Sequence, residues 1–237
     1  MTLAPTNPRY NKPSRFDWRF ASNRTNLPRP WAYEWSMSAT FLVTGFEPFG
    51  EHRTNSSWDA LERLRGRWSR DVVTLRLPVD HRAAHTALRR ALDELAPAAV
   101  LCTGLAKGRV FRIERCARRP SQLAELTAAN DAELARGRWP WDEMRCALEQ
   151  SGVDAIDSED AGRYVCESTY WSLLTYEPSL LERVTSRAKP AFAGFLHVPH
   201  ESSEYSIERI ASAVGSVVDA RHATLQLERD AAFDAAP

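Results

Sequence analysis

Three residues carry types that could do nucleophilic chemistry together: Cys166, His197 and Glu114. Cys166 lies in Asp160-Ala161-Gly162-Arg163-Tyr164-Val165-Cys166-Glu167-Ser168, where a glycine turn leads into helical sequence. A cysteine in the first turn of a helix faces free backbone N–H groups and the positive end of the helix dipole, which stabilise a thiolate. The same N–H groups could hold an oxyanion. A small buried hydrophobe also suits the position. His197 ends the apolar run Phe195-Leu196-His197-Val198-Pro199, so it reaches a strand end and could act as the base that activates a thiol. A structural histidine bonded to a carbonyl is the other reading. Glu114, in Phe111-Arg112-Ile113-Glu114-Arg115-Cys116-Ala117, could orient an imidazole. With five arginines between 109 and 119, a solvated ion-pair cluster fits equally. The loop Gly45-Phe46-Glu47-Pro48-Phe49-Gly50 sets two aromatic rings three residues apart on a rigid turn. Those rings could clamp a flat neutral ligand or cap the core.

The elements that must position these residues read as alternating β and α. Thr40–Gly45, Val72–Leu77, Ala98–Cys102, Val153–Ile156 and Ala191–Val198 are short apolar or alternating runs, read as strands. Asn55-Ser56-Ser57 offers a helix N-cap, and helices follow at 81–95, about 141–151, from Val165 to Leu174 and from about Glu204 to Val218. Alanine-rich sequence around 122–136 also reads as helical. This alternation implies a three-layer α/β/α sandwich with a mostly parallel mixed sheet. Sites in such sheets lie at the carboxyl ends of strands, so the loops leaving Gly45, Gly104, Asp157 and His197 should gather on one rim.

Residues 1–36 differ from the rest. They hold five prolines, three tryptophans and six basic against two acidic side chains, with no apolar period. This arm reads as a surface-packed tail, as a transit-like segment, or as untranslated sequence ahead of a start at Met37. A single domain over 37–222 and a frayed tail over 223–237 complete the expected organisation.

Composition narrows the function classes. The 237 residues hold 31 Lys+Arg and 31 Asp+Glu, a formal net charge of zero, which removes the electrostatic case for a nucleic-acid binder. No apolar run is long enough to span a bilayer. The four cysteines, Cys102, Cys116, Cys146 and Cys166, match no zinc spacing. Without an export signal they read as reduced thiols of a cytoplasmic protein.

Taken in order, five segments resemble the pyroglutamyl peptidase I family. Phe41 to Gly50 followed by Asn55-Ser56-Ser57-Trp58 is similar to the family's amino-terminal signature. Arg76-Leu77-Pro78-Val79 resembles the segment after its second strand. Gly104 to Ala117, Asp160 to Cys166 and Gly194 to Pro199 resemble the blocks that hold its glutamate, cysteine and histidine. The resemblance covers roughly 40 to 218 and implies a cysteine peptidase that removes amino-terminal pyroglutamate from peptides. It makes Cys166 the nucleophile, His197 the base and Glu114 its orienting group. It makes Phe46 and Phe49 the lactam sandwich and Asn55 a substrate-binding neighbour. It implies no metal or organic cofactor, and it is compatible with a homo-oligomer. Leu105, Arg112-Ile113, Arg118-Arg119-Pro120-Ser121 and Glu167 depart from the family pattern. These departures leave two rivals: a cysteine amidohydrolase of another amino-terminal cap or small lactam, and a non-catalytic anion-binding homologue using Lys107, Arg109, Arg112 and Arg115.

Overall fold

The computed structural model describes residues 41–68, 71–125, 133–178 and 189–234. The 1–36 arm therefore lies outside the described residues. Four strands run parallel: β1 (Phe41–Phe46), β2 (Val72–Leu77), β3 (Ala99–Leu105) and β8 (Phe192–Val198). Two short strands, β4 (Phe111–Glu114) and β7 (Ala155–Ser158), pair with each other in parallel but run against β8. The sheet order is β2-β1-β3-β8-β4-β7.

The pleat sends alternate residues to opposite faces, and both faces are apolar because both are covered. Phe41, Val43, Leu101, Ile113, Leu196 and Val198 pack under α1 (Ser56–Arg63), α3 (Trp141–Gln150) and α5 (Ile207–Asp234). Leu42, Val100, Cys102 and Phe195 pack under α2 (His81–Leu95) and α4 (Val165–Leu174). The expected three-layer sandwich with a mostly parallel mixed sheet is what the chain forms. α2 begins at the Asp80 cap, whose Oδ1 accepts the Ala83 N–H at 2.8 Å, and ends at Ala96 in the left-handed region.

Three expectations are corrected. Leu134–Arg136 is a strand, β6, antiparallel to β5 (Cys116–Arg118), because its backbone completes a two-stranded ribbon. At the start of that stretch Ser121–Leu123 forms a 3₁₀ turn, and residues 126–132 lie outside the described residues. The frayed tail is instead the end of α5, which continues to Asp234 with Leu225 buried and Arg221 paired to Glu228. Finally, β7 ends at the level of Glu114 and Phe195, not on the rim where β8 ends. The loop after Asp157 must run back over residues 159–164 before Cys166 can meet His197.

Candidate active site

Strand register brings Glu114 and His197 together. His197 is paired with Gly104 on one side and with Arg112 on the other, while Phe195 is paired with Cys102 and Glu114. All six therefore project from the same face of the sheet, toward α4. His197 Nδ1 lies 2.8 Å from Glu114 Oε1. A carboxylate only accepts, so Nδ1 donates and Nε2 is left as the free base. Glu114 is fully buried, and its Oε1 also accepts from Arg112 Nε at 3.2 Å. Its Oε2 is buried with no hydrogen-bond partner among the described residues. Arg112 extends further and donates to Ser158 Oγ at 2.6 Å and to the Asp160 carbonyl at 3.0 Å. The guanidinium thus ties the buried carboxylate to the loop that leads into α4.

α4 carries Cys166 as its second residue, after the extended Tyr164 N-cap. A Cβ built on Gly104 would lie 2.8 Å from Cys166 Sγ and 2.9 Å from Phe195 Cζ. The missing side chain is the space in which the sulfur rests. Because Gly104 faces His197 across one strand spacing of about 4.8 Å, the sulfur is placed beside the imidazole. Four residues on, Tyr170 donates its hydroxyl to the Glu114 backbone carbonyl at 3.0 Å and stacks against Phe195. Gly137 is needed there, since any side chain would strike the Tyr170 hydroxyl. One helix face thus carries the thiol and locks the strand that holds the carboxylate.

The thiol is not the preformed thiolate that its helix position suggests. Burial pushes Cys166 up to about 12, with Cys102 and Glu114 adding to the rise, its own backbone N–H opposing it, and Glu167 contributing a smaller increment. Desolvation wins over the helix dipole, so the resting sulfur is protonated. Cys166 and His197 are not hydrogen-bonded to each other at rest. Glu167 is buried, and its Oε1 accepts the backbone N–H of Arg118, fastening the start of α4 to β5. Its own carboxyl is raised by burial, against the pull of that N–H.

The recognition residues are arranged differently from the expectation. Phe46 is 2 % exposed and packs in the core with Leu42, Leu77 and Leu88, so it backs the loop and does not line a sandwich. Asn55 is equally enclosed: its Oδ1 accepts from the Ser57 N–H at 3.1 Å and Ser57 Oγ at 2.8 Å, and its Nδ2 donates to the Glu47 carbonyl at 3.0 Å. It caps α1 and holds the Phe46–Phe49 turn, where a substrate contact was expected. Phe49 is half-buried, with its ring 6.2 Å from Tyr164 and 5.4 Å from His52. Tyr164 in turn meets His81 at 5.9 Å, and His52 meets His200 at 5.4 Å. Tyr164, two residues before Cys166, is the aromatic partner that sequence reasoning missed; its place in the cysteine block was the available signal.

The basic cluster does not converge on an anion. Arg112 serves Glu114, and Arg115 pairs with Asp157 and covers the Trp141 ring, while Lys107 and Arg109 are exposed. Cys102 and Cys116 are buried with raised pKa values, and Cys146 is exposed. Among the described residues no three His, Cys, Asp or Glu side chains group in a way that could hold a metal ion.

The family model for pyroglutamyl peptidases, peptidase family C15, matches residues 39–225. The chain belongs to that family. The pyrrolidone-carboxylate peptidase of Clavibacter michiganensis subsp. michiganensis (strain NCPPB 382) is 31% identical over 203 residues, covering 76% of this chain and 92% of that protein. The pyrrolidone-carboxylate peptidase of Pseudomonas fluorescens (strain SBW25) is 32% identical over 200 residues, covering 78% and 90%. Among solved structures, pyroglutamyl peptidase I from Bacillus amyloliquefaciens superposes with a TM-score of 0.61 at 23% identity, over 78% of this chain and 96% of that one. The pyrrolidone carboxyl peptidase of Thermococcus litoralis does so with 0.64 at 22%, over 80% and 96%. These structures share the fold of this family member.

Proposed function

We propose that the chain is a cysteine peptidase that hydrolyses the bond after an amino-terminal pyroglutamyl residue, with Cys166, His197 and Glu114 as its catalytic residues. The observation that carries the reading is the convergence of Glu114, His197 and the Gly104 gap under Cys166 on one sheet face. Membership in the pyroglutamyl peptidase family supports the substrate.

The steps follow from the geometry. The substrate carbonyl arrives at Cys166 Sγ, and His197 Nε2 takes the thiol proton as the C–S bond forms. A neutral resting thiol makes this a general-base step, so attack and deprotonation are coupled. Glu114 fixes the imidazole through Nδ1 and offsets the positive charge that develops on it. Backbone N–H groups at the start of α4 face the oxyanion. His197 then protonates the leaving amine as the C–N bond breaks, leaving a thioester on Cys166. A water deprotonated by His197 releases pyroglutamate and restores the thiol. Phe49 and Tyr164 supply the aromatic surface for the flat lactam, and Phe46 and Asn55 hold that surface in place. A reducing, cytoplasmic setting suits the four unpaired cysteines. Among the described residues no helix is long and apolar enough to cross a membrane.

Hydrolysis of a fluorogenic pyroglutamyl amide tests the proposal, with an alanyl amide and Cys166→Ala as controls. Cleavage restricted to the pyroglutamyl substrate and lost in the variant is expected. No cleavage by folded, reduced protein would contradict it.

A further inference from the structure

A cleft of about 550 Å³ lies at the start of α4, and none of Cys166, His197 and Glu114 lines it. It is bordered by Tyr164 and Glu167, which flank Cys166 in sequence, by Gly162 and Arg163, and by the segment from Arg118 to Gln122. That segment stands where the chain departs from the family pattern, as does Glu167. Three guanidinium groups line the cleft against two carboxylates. Glu167 is buried and accepts the Arg118 backbone N–H, whereas Asp160 is exposed: its Oδ1 accepts the Gly162 N–H at 3.1 Å and lies 4.0 Å from Arg118 Nη1, so it offsets Arg118 and leaves Arg163 as the exposed charge. Arg163, three residues before Cys166, is exposed and engaged by none of the described residues.

We propose that this cleft receives the peptide beyond the scissile bond and selects substrates with a carboxylate close after the pyroglutamyl residue. The inference rests on the peptidase reading. A lactam held against Phe49 and Tyr164 presents its carbonyl at Cys166, and the chain that follows continues past Tyr164 into the cavity that Tyr164 and Glu167 border. Charged, wide and with Tyr164 as its one aromatic ring, that cavity suits an extended anionic peptide and not the neutral lactam itself. A carboxylate there meets the exposed guanidinium of Arg163, which can take it in a bidentate pair, while Arg118 stays on the Glu159 carbonyl and Asp160.

Competition kinetics on carboxyl-amidated pGlu-Glu-Ala, pGlu-Gln-Ala and pGlu-Lys-Ala test the selection. The expected kcat/KM order is Glu, Gln, Lys. The ratio between the extremes should be about three- to tenfold at low salt, as for charges at a partly exposed site, and should shrink in high salt. Arg163→Glu inverts the order, and Arg163→Lys keeps it. Comparing pGlu-Ala as free acid and as amide separates a terminal carboxylate from a side-chain one. Calorimetric binding of the same three peptides to Cys166→Ala gives the order without turnover. A protein that turns over none of them while binding the acidic peptide tightest would overturn the peptidase reading and keep the subsite. Equal handling of the Glu and Lys peptides, or an order unmoved in folded Arg163→Glu, would overturn the subsite.

Discussion

The two sides of the site are built by different means. On the sheet side, Glu114, His197, Gly104 and Phe195 are placed by strand register, buried, and cross-linked by hydrogen bonds through Tyr170 and Arg112. On the rim, Phe49, His52, Tyr164 and Arg163 stand on loops, in ring contacts of 5.4–6.2 Å or in solvent. The first arrangement suits proton transfer, which fails when a donor moves by an ångström. The second suits recognition, where surfaces adapt and differ between relatives. Two carboxylates show the same contrast within one neighbourhood. Buried Glu114 takes two charged or chargeable side-chain donors, whereas Glu167 takes a single backbone N–H and has its carboxyl raised.

The largest effect should come from breaking the sheet side. Glu114→Ala leaves Arg112 and His197 around an empty buried site. It should lower kcat/KM about 10²- to 10⁴-fold, measured on a pyroglutamyl amide, and lower stability by roughly 3–5 kcal/mol in urea titration. Gly104→Ala pushes a methyl into the sulfur and Phe195. A loss of about 10²-fold in kcat with roughly 1–3 kcal/mol of destabilisation is expected, and near-normal kinetics would mean that the sulfur does not need that gap. Phe46 and Phe49 sharpen the contrast within one loop. Phe46→Ala should cost about 3–5 kcal/mol of stability as a buried cavity, while Phe49→Ala should leave the melting temperature nearly unchanged and raise KM. Asn55→Ala, which removes a helix cap, should cost about 1 kcal/mol and raise KM more than it lowers kcat.

A more gradual effect is alkaline. Cys102 and Cys166 are both held at about 12 by burial, above the free-chain thiol. The unfolded chain then loses these protons first, so stability is whole below about 8.5 and falls as pH rises toward about 12. The slope is about 1.4 kcal/mol per pH unit for each thiol. Chemical denaturation across that range, with Cys102→Ala for comparison, should show a shallower slope in the variant, the rest coming from Cys166 and the likewise raised Cys116 and Tyr170.

The sheet side was legible in the sequence because strands advertise themselves. His197 closes an apolar run before Pro199, Cys166 follows a glycine turn into a helix, and α2 has the bounds that its apolar spacing indicated. What was not legible lacked period or length. β7 has four residues, one of them Asp157 in ion pairs with Arg115 and Arg145, so nothing in it signals its direction. β6 forms from an alanine- and arginine-bearing stretch whose helix propensity yields to pairing with β5. The end of α5 reads as frayed because its apolar residues thin out, yet Ala, Leu, Glu and Arg favour helix and Leu225 is buried. The enclosure of Phe46 and Asn55 depends on α2 and on Glu47, contacts that sequence spacing does not contain.

The central claim is that Glu114 acts through His197 as one unit serving Cys166. A double-mutant cycle of His197→Ala and Glu114→Ala, read in kcat/KM on a pyroglutamyl amide, tests it most directly. The account predicts that the double variant is no slower than His197→Ala alone, because the carboxylate has no task once the imidazole is gone. Additive losses would contradict it and give Glu114 a role of its own.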